Sequence, residues 1–294
     1  MKILVIGGTR FVGLAMVREL LNRGHEVSVF HRSKEFPVGT EKATHLIGDR
    51  TKDFTALQVG SWDVVIDVCG YRPYEIHALY DALAGRIKKY VFVSTVSVYD
   101  DAIPLGEKEN AKLADTSILD EADDITIPID WQTYGPLKVL CEAAVKEHYQ
   151  DNLIIRPTYV IGPDDYTNRF NFWVEKFMKN EQVEIPLNNS TSMQFIDVRD
   201  LANFTCDAIE KNLQGEFHVC APTTTFINMI SQIKASTNSS SEILEIQSED
   251  ESKFPLWANE DLGMLSLDPA KAVAAGLKYR PLDETIQSIL SILK

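Results

Sequence analysis

The hydrophobic positions of this chain fall into short, almost purely apolar runs separated by longer stretches with helical spacing. Ile3–Ile6 is the first such run and reads as a short buried strand. Gly7 and Gly8 follow at once. After Thr9, Arg10, Phe11, Val12 and Gly13, the segment LAMVRELLNRG carries apolar residues at helical spacing and stops at Gly24. Val27, Val29 and Phe30 give a second strand. A third ends at Gly48-Asp49-Arg50, with a helix predicted to start near Asp53. Val64–Val68 reads as a fourth strand, buried on both faces of a parallel sheet. Pro73 opens a helix that ends at Gly85, and Tyr90–Val93 is a fifth strand. This alternation predicts an α/β chain with a right-handed, doubly wound parallel sheet.

The second half is less regular. An acidic, irregular stretch from Asp100 to Asp130 reads as a surface insertion or lid, and no histidine accompanies its carboxylates, so a solvated face is expected rather than a metal site. Residues 130–149 read as a helix. So do Thr167–Asn180, where Phe170, Trp173 and Phe177 at spacings of three and four predict a core-facing stripe. Gly215–Pro222 gives another short strand, in which His218 is expected as a satisfied core histidine. The chain ends in two helices, the first capped by Asp268 ahead of Pro269. Residues 235–241, ASTNSSS, are expected as a surface loop.

Composition narrows the partners. The 294 residues carry a net charge of −14, and neither Lys88-Lys89 nor the surroundings of Arg23 make a basic patch, so a nucleic-acid partner is not expected. Cys69, Cys141, Cys206 and Cys220 lie in apolar surroundings without C-x-x-C spacing, as buried thiols of a reducing compartment do. No apolar run is long enough for a bilayer, and the first strand begins at residue 2, which leaves no room for a signal peptide. A cytoplasmic protein is therefore expected, with no membrane partner.

Candidate chemistry starts at the first turn. Strand, glycine turn and helix place backbone N–H groups and a helix N-terminus against a pyrophosphate, which makes Gly7, Gly8, Thr9, Arg10, Phe11, Val12 and Gly13 the candidate dinucleotide loop, with spacing G-G-x-x-x-x-G. An NAD-preferring site ends the second strand in Asp or Glu. Here His31 and Arg32 stand there, and Arg32 beside Arg10 favours the 2′-phosphate of NADP over NAD. Asp49 reads either as an acceptor for an adenine amino group or as a turn residue or cap. Cys69, Gly70 and Tyr71 end the fourth strand, where ligands bind in such sheets. Tyr134 and Lys138, four apart on one helix face, follow a Ser/Thr-rich strand end that includes Thr95. A neighbouring ammonium favours the phenolate, so Tyr134 is the candidate general acid or base. Lys138 is its candidate partner and binds the nicotinamide ribose, while Thr95 holds the substrate oxygen.

VIGGTRFVG, GDRTKD, VSTVSVY, YGPLK, IIRPTYVIGP and FIDVRDLA stand in the order found in the extended short-chain dehydrogenase/reductase family, the NAD(P)-dependent epimerase/dehydratase group, which the chain resembles over nearly its whole length. The variant glycine loop is similar to an atypical subgroup whose members are labelled from sugar epimerase to stem-loop RNA-binding protein. The resemblance implies a Rossmann domain over 1–163, joined by 195–220, and a smaller substrate-binding part from 164–194 and 221–294. It implies a Thr95/Tyr134/Lys138 triad, and it puts Arg50 and Pro157 among the cofactor-binding residues. The implied activity is NAD(P)-dependent epimerisation or reduction at a hydroxyl or carbonyl of a small, sugar-like substrate; the alternative is a non-catalytic cofactor sensor or RNA-binding relative. Family members also dimerise through helices corresponding to 74–84 and 132–149. Two departures narrow the reaction. The Asp-Glu pair of sugar dehydratases is replaced by Val96 and Ser97. The arginine that many nucleotide-sugar enzymes aim at the diphosphate is replaced by Met193, followed by Gln194, leaving Arg156, Arg169, Lys176 or Arg280 to compensate.

Overall fold

The computed structural model describes residues 1–119, 126–248 and 250–293. In chain order the elements are β1 (Lys2–Ile6), α1 (Phe11–Asn22), β2 (Glu26–His31), β3 (Thr44–Ile47), β4 (Trp62–Asp67), α2 (Pro73–Leu83), β5 (Ile87–Val93), α3 (Tyr134–His148), β6 (Asn152–Pro157), β7 (Tyr159–Ile161), α4 (Asn171–Met178), β8 (Val183–Pro186), β9 (Ser192–Met193), β10 (Phe195–Asp197), α5 (Val198–Glu210), β11 (Gly215–Val219), β12 (Thr224–Thr225), α6 (Phe226–Ser236), β13 (Ile243–Ile246), α7 (Ala270–Ala275) and α8 (Leu282–Leu293). Seven strands form one sheet in the order β11-β6-β5-β4-β1-β2-β3, and every pairing in it is parallel. The apolar runs are buried on both faces. Ile3 and Val5 of β1 meet α1 and α5 on one side, while Leu4 and Ile6 meet the layer of α2 and α3 on the other. This is the doubly wound sheet that the hydrophobic pattern predicts. The order reverses between β1 and β4, and the carboxyl ends of those two strands therefore flank the crevice where such sheets hold ligands.

A second core lies beyond β6. It joins α4, α6 and α8 with the parallel pair β8 and β13, and Phe170, Trp173 and Phe177 are wholly buried in it, as their spacing predicts. Asp197 links the two cores. It accepts from the Arg199 amide at the start of α5 and from the Thr285 hydroxyl of α8.

Several element boundaries depart from the sequence expectation, each for a local reason. No α-helix follows β3. A single 3-10 turn, Thr55–Leu57, replaces it, because Asp49 accepts from the Thr51 amide and hydroxyl and Asp53 from the Thr55 amide. The helix expected from 130 begins at Tyr134. Asp130 takes the amides of Gln132 and Thr133, and the Thr133 hydroxyl turns back to the Pro128 carbonyl, so the chain is held in a turn up to that point. The helix expected over 167–180 is confined to α4. Of the acidic stretch, 100–119 runs against the body rather than standing off as a lid: Tyr99 bridges Leu113, and Ile103 is buried with Leu267. Asp120, Glu121, Asp123 and Asp124 lie outside the described residues. No helix among the described residues is long and apolar enough to cross a membrane.

Candidate active site

The glycine turn joins β1 to α1 at the switch point. Gly7 adopts φ +87°, which a side chain disfavours, and a Cβ on Gly13 would stand 2.4 Å from the Gly7 carbonyl oxygen. Glycine at 13 thus lets the first turn of α1 press directly onto the strand end. Arg10 is the extended residue before α1, and it provides no side-chain cap. No acidic residue lies in the first turn. The leading N–H groups of α1 therefore keep their partial positive charge for an anion, and the turn fits a dinucleotide pyrophosphate. Thr9 and Val12 sit within the same turn. Phe11 is buried at φ +37°, with its ring edge-on to Tyr166 at 6.4 Å. The Arg10 guanidinium lies 5.8 Å from the centre of the Tyr166 ring.

Arg32 follows β2 and is exposed, with Asp49 close enough for its charge to be felt. Asp49 itself serves the turn after β3: the Thr51 amide and hydroxyl hold its carboxylate below the usual range. Asp49 thus fills the turn role that the sequence offers for it. Arg50 is paired through its Nη groups, while its buried Nε makes no hydrogen bond and stands 3.7 Å from a Glu75 carboxylate oxygen. Its guanidinium clasps Asp67 through bonds of 2.7 and 3.0 Å, touches Cys69 Sγ at 3.3 Å, and donates to the Glu75 carbonyl. Arg50 thus braces the end of β4 from beneath. Asp67 is fully buried and also accepts from the Tyr90 hydroxyl and the Cys69 amide, so it anchors the Cys69-Gly70-Tyr71 strand end.

Thr95 lies just past the carboxyl end of β5, and Tyr134 and Lys138 lie four residues apart in the first turns of α3. The Thr95 hydroxyl donates to Ser97 Oγ at 3.2 Å, and the Ser97 amide donates to Thr95 Oγ1 at 3.1 Å. A Cβ on Gly135 would come within 2.1 Å of the Ser97 carbonyl, so only glycine lets α3 begin against this segment. Lys138 is buried and donates to the carbonyls of Val93 at 2.7 Å and Gly70 at 3.0 Å, tying together the ends of β5 and β4. Its ammonium is thus engaged by strand-end carbonyls. In the protein itself, burial pushes the Tyr134 phenol above its ordinary value, against the pull of Thr95 and the Arg169 charge, while burial lowers Lys138. The expectation that the Lys138 charge depresses the phenol pKa is not met by the protein groups alone.

Tyr71 stands 6.5 Å from Tyr134, ring to ring, and Pro157 ends β6 beside Val219 of β11. The cations that were expected to compensate for Met193 and Gln194 divide sharply. Arg156 is buried in a two-pronged pair with Glu142 and also meets the Tyr99 hydroxyl. Arg280 grips Asp200, and Lys176 lies 4.9 Å over the Phe172 ring. Those expectations for Arg156 and Arg280 are corrected: both guanidiniums are neutralised inside the protein. Gln194 is structural too, exchanging hydrogen bonds with the Leu267 backbone. Arg169 alone of the four lies where its charge reaches Tyr134. His218 is a core residue, its ring between the Tyr99 hydroxyl and the Asp268 carbonyl.

Sequence reasoning missed Asp67, Tyr90 and Asp165. Asp67 carried a readable signal, a carboxylate closing an otherwise apolar strand end. Tyr90 and Asp165 did not, because their partners lie far away in sequence or within an irregular turn.

The fold and this site define a dinucleotide-binding α/β protein of the Rossmann type with a Tyr/Lys pair at its switch-side cleft. The chain belongs to the NAD dependent epimerase/dehydratase family, which it matches over residues 3–78 and 73–220. It is 26% identical over 253 residues to the chloroplast stem-loop binding protein of 41 kDa b of Arabidopsis thaliana; the match covers 74% of this chain and 60% of that protein. In fold it is similar to UDP-glucose 4-epimerase of Thermotoga maritima, with 18% identity, TM-score 0.76 and full coverage of both chains. It is equally similar to UDP-N-acetylglucosamine 4-epimerase of Bacillus cereus, with 18% identity, TM-score 0.77, and coverage of 100% of this chain and 99% of that one.

Proposed function

We propose that the chain is an NAD(P)-dependent epimerase or oxidoreductase acting at a hydroxyl or carbonyl carbon of a sugar-like substrate. The observation that carries this reading is Tyr134 at the start of α3, one helical turn before the buried Lys138 whose ammonium ties the ends of β4 and β5, across the sheet end from the glycine turn. The backbone of the turn at 7–13 holds the pyrophosphate, Cys69, Gly70, Tyr71 and Pro157 flank the nicotinamide end, and Lys138 reaches the ribose beside it. Bound NAD(P) supplies a hydride acceptor or donor at its nicotinamide ring. Thr95 fixes the reacting oxygen, and Tyr134 takes or returns its proton. Arg32 reads a 2′-phosphate, which makes NADP the preferred form. Its support is an exposed guanidinium at the end of β2, where no carboxylate stands to receive a ribose 2′-OH. Val96 and Ser97, in place of a carboxylate pair, speak against dehydration. The direct test screens keto-sugars and sugar acids by cofactor absorbance with wild type and Tyr134→Phe. The variant is expected to lose roughly 10²–10⁴-fold in turnover while binding cofactor within a few-fold of wild type. Unchanged turnover removes Tyr134 as the proton-transferring group.

The printed name of the Arabidopsis relative favours a second reading, binding of structured RNA. The net charge of −14 opposes it. A gel shift with a stem-loop RNA decides: binding that is tight and falls steeply as salt rises establishes the second reading.

A further inference from the structure

The segment that leaves β7 for the second core turns back onto the glycine turn and docks on α1 at two points. Asp164 pairs with Arg18 at 2.6 Å, and the Tyr166 ring stands edge-on to Phe11 at 6.4 Å. Phe11 and Arg18 lie two turns apart on one helix face, so the segment runs lengthwise over the start of α1. A ladder of its own side chains keeps its shape. Buried Asp165 accepts from the Thr167 amide at 2.8 Å and the Thr167 hydroxyl at 2.7 Å, and Thr167 Oγ1 accepts from Arg169 Nε at 3.2 Å. Phe11 carries a left-handed backbone, φ +37°, which its side chain disfavours, and Tyr166 packs against the ring that holds it there. Tyr166 itself is 65% exposed. Its other contact is Arg10, the extended residue before α1, whose guanidinium lies 5.8 Å over the ring. Arg18, Arg50, Arg156 and Arg280 are each paired with a carboxylate. Arg10 has no hydrogen-bond or carboxylate partner among the described residues.

We propose that Tyr166 is a positioning residue that sets the Arg10 guanidinium on the pyrophosphate of the bound dinucleotide, so that the smaller part of the chain supplies the outer wall of the cradle. This inference rests on the dinucleotide reading above and adds a part to the same site. Within 7–13 the only polar side chains are Thr9 and Arg10, and Arg10 is the only charge. The backbone of the turn and the N-terminus of α1 offer partial positive charge, whereas a pyrophosphate is a full dianion. A guanidinium at this place adds a full charge and charge-assisted hydrogen bonds. The way Arg10 is held suits that task. A carboxylate would neutralise it and occupy its donors. A ring face holds a guanidinium through its charge and uses none of its N–H groups, so Arg10 is placed and still open to an anion. Tyr166 comes from beyond β7 and not from the sheet's own turns, so the cradle is complete only when this segment lies on α1.

The test is fluorescence titration of the full chain with NADPH and NADH, and displacement of the bound form by ADP-ribose and by adenosine 2′-phosphate. ADP-ribose carries the pyrophosphate without a 2′-phosphate, and adenosine 2′-phosphate the reverse. Wild type is compared with Arg10→Gln, Tyr166→Ala, Tyr166→Phe and the double variant Arg10→Gln/Tyr166→Ala. Arg10 and Tyr166 are exposed, so the variants are expected to fold, as thermal unfolding without ligand checks. Arg10→Gln is expected to weaken NADPH, NADH and ADP-ribose alike, by roughly tenfold or more, and to leave adenosine 2′-phosphate within about twofold. Tyr166→Ala is expected to weaken the same three ligands roughly two- to fivefold, and Tyr166→Phe, which keeps the ring, to bind as wild type. The double variant is expected to bind no more weakly than Arg10→Gln, because Tyr166 acts through Arg10. Loss confined to NADPH and adenosine 2′-phosphate in Arg10→Gln overturns the proposal, since Arg10 would then read the 2′-phosphate. Unchanged binding in Arg10→Gln, equal loss in Tyr166→Phe and Tyr166→Ala, or additive losses in the double variant also overturn it. In each of these outcomes wild type still binds the dinucleotide and only the inference about Tyr166 and Arg10 falls; absence of binding in wild type overturns the underlying reading instead.

Discussion

Asp67→Asn is the perturbation whose size follows most directly from the structure. Asp67 is 0% exposed and the Arg50 side chain 10%. Burial alone pushes the Asp67 carboxyl up, but Arg50, the Tyr90 hydroxyl and the Cys69 amide outweigh it and hold its pKa below the ordinary carboxylate value. An asparagine can still accept from Tyr90, so loss of hydrogen bonding alone would cost only about 1 kcal/mol. The larger effect is the buried Arg50 charge left with Glu75 alone, 3.7 Å from its Nε, which costs up to about 3–5 kcal/mol. Urea unfolding followed by fluorescence, with the buried Trp62 on the same strand as a reporter, measures the difference. Arg50→Met in the Asp67→Asn background removes the orphaned charge, and the double variant is expected to be more stable than Asp67→Asn by about 1–3 kcal/mol. If the double variant loses the sum of the single effects, the pair is not coupled and the supporting role given to Arg50 is wrong. The pH sign follows: a depressed folded pKa gives stability that is present above the unfolded value, about 3.9, and is lost as pH falls through the folded pKa.

Three further outcomes are expected. Gly13→Val drives a side chain into the Gly7 carbonyl, 2.4 Å from where its Cβ would stand; it is expected to destabilise the fold by about 1–3 kcal/mol and to abolish saturable cofactor binding, and wild-type binding would show that the turn is not the pyrophosphate cradle. Arg32→Asp is expected to weaken NADPH roughly ten- to a hundredfold and NADH only a few-fold, as competition titrations measure; equal weakening dismisses Arg32 as the 2′-phosphate reader. His31 is buried with Nε2 2.8 Å from His45 Nδ1, and burial together with His45 lowers its pKa. Its neutral form is therefore the folded one, so stability is full above about pH 6.5 and declines as pH falls below it. Thermal unfolding should show this decline, made shallower by His31→Gln; an identical slope removes His31 from the cause.

What the chain's pattern revealed and what it hid divide along physical lines. The sheet was legible because β1 is an uninterrupted apolar run closed by Gly7 and the strands after it are rich in Val and Ile, as strands buried on both faces are. The pair Tyr134 and Lys138 was legible because helical spacing alone puts them on one face. The turn in place of a helix after β3 was not, because the Asp49 and Asp53 side chains compete for amides that a helix would use. Arg50, Arg156 and Arg280 illustrate a second limit. An arginine in a family motif looks like a ligand contact until its buried carboxylate appears, and Asp67, Glu142 and Asp200 stand 17, 14 and 80 residues away. The Asp165–Thr167–Arg169 ladder escaped for the opposite reason: it is local, but its alternation by twos within an irregular turn is the signature of no regular element.

The proposed function requires the glycine turn and the residues around Tyr134 to hold a nicotinamide dinucleotide together. Fluorescence titration of the purified protein with NADPH and, separately, NADH tests it most directly. Saturable binding at one site per chain, tighter for NADPH, is the predicted result; no binding of either form contradicts the claim.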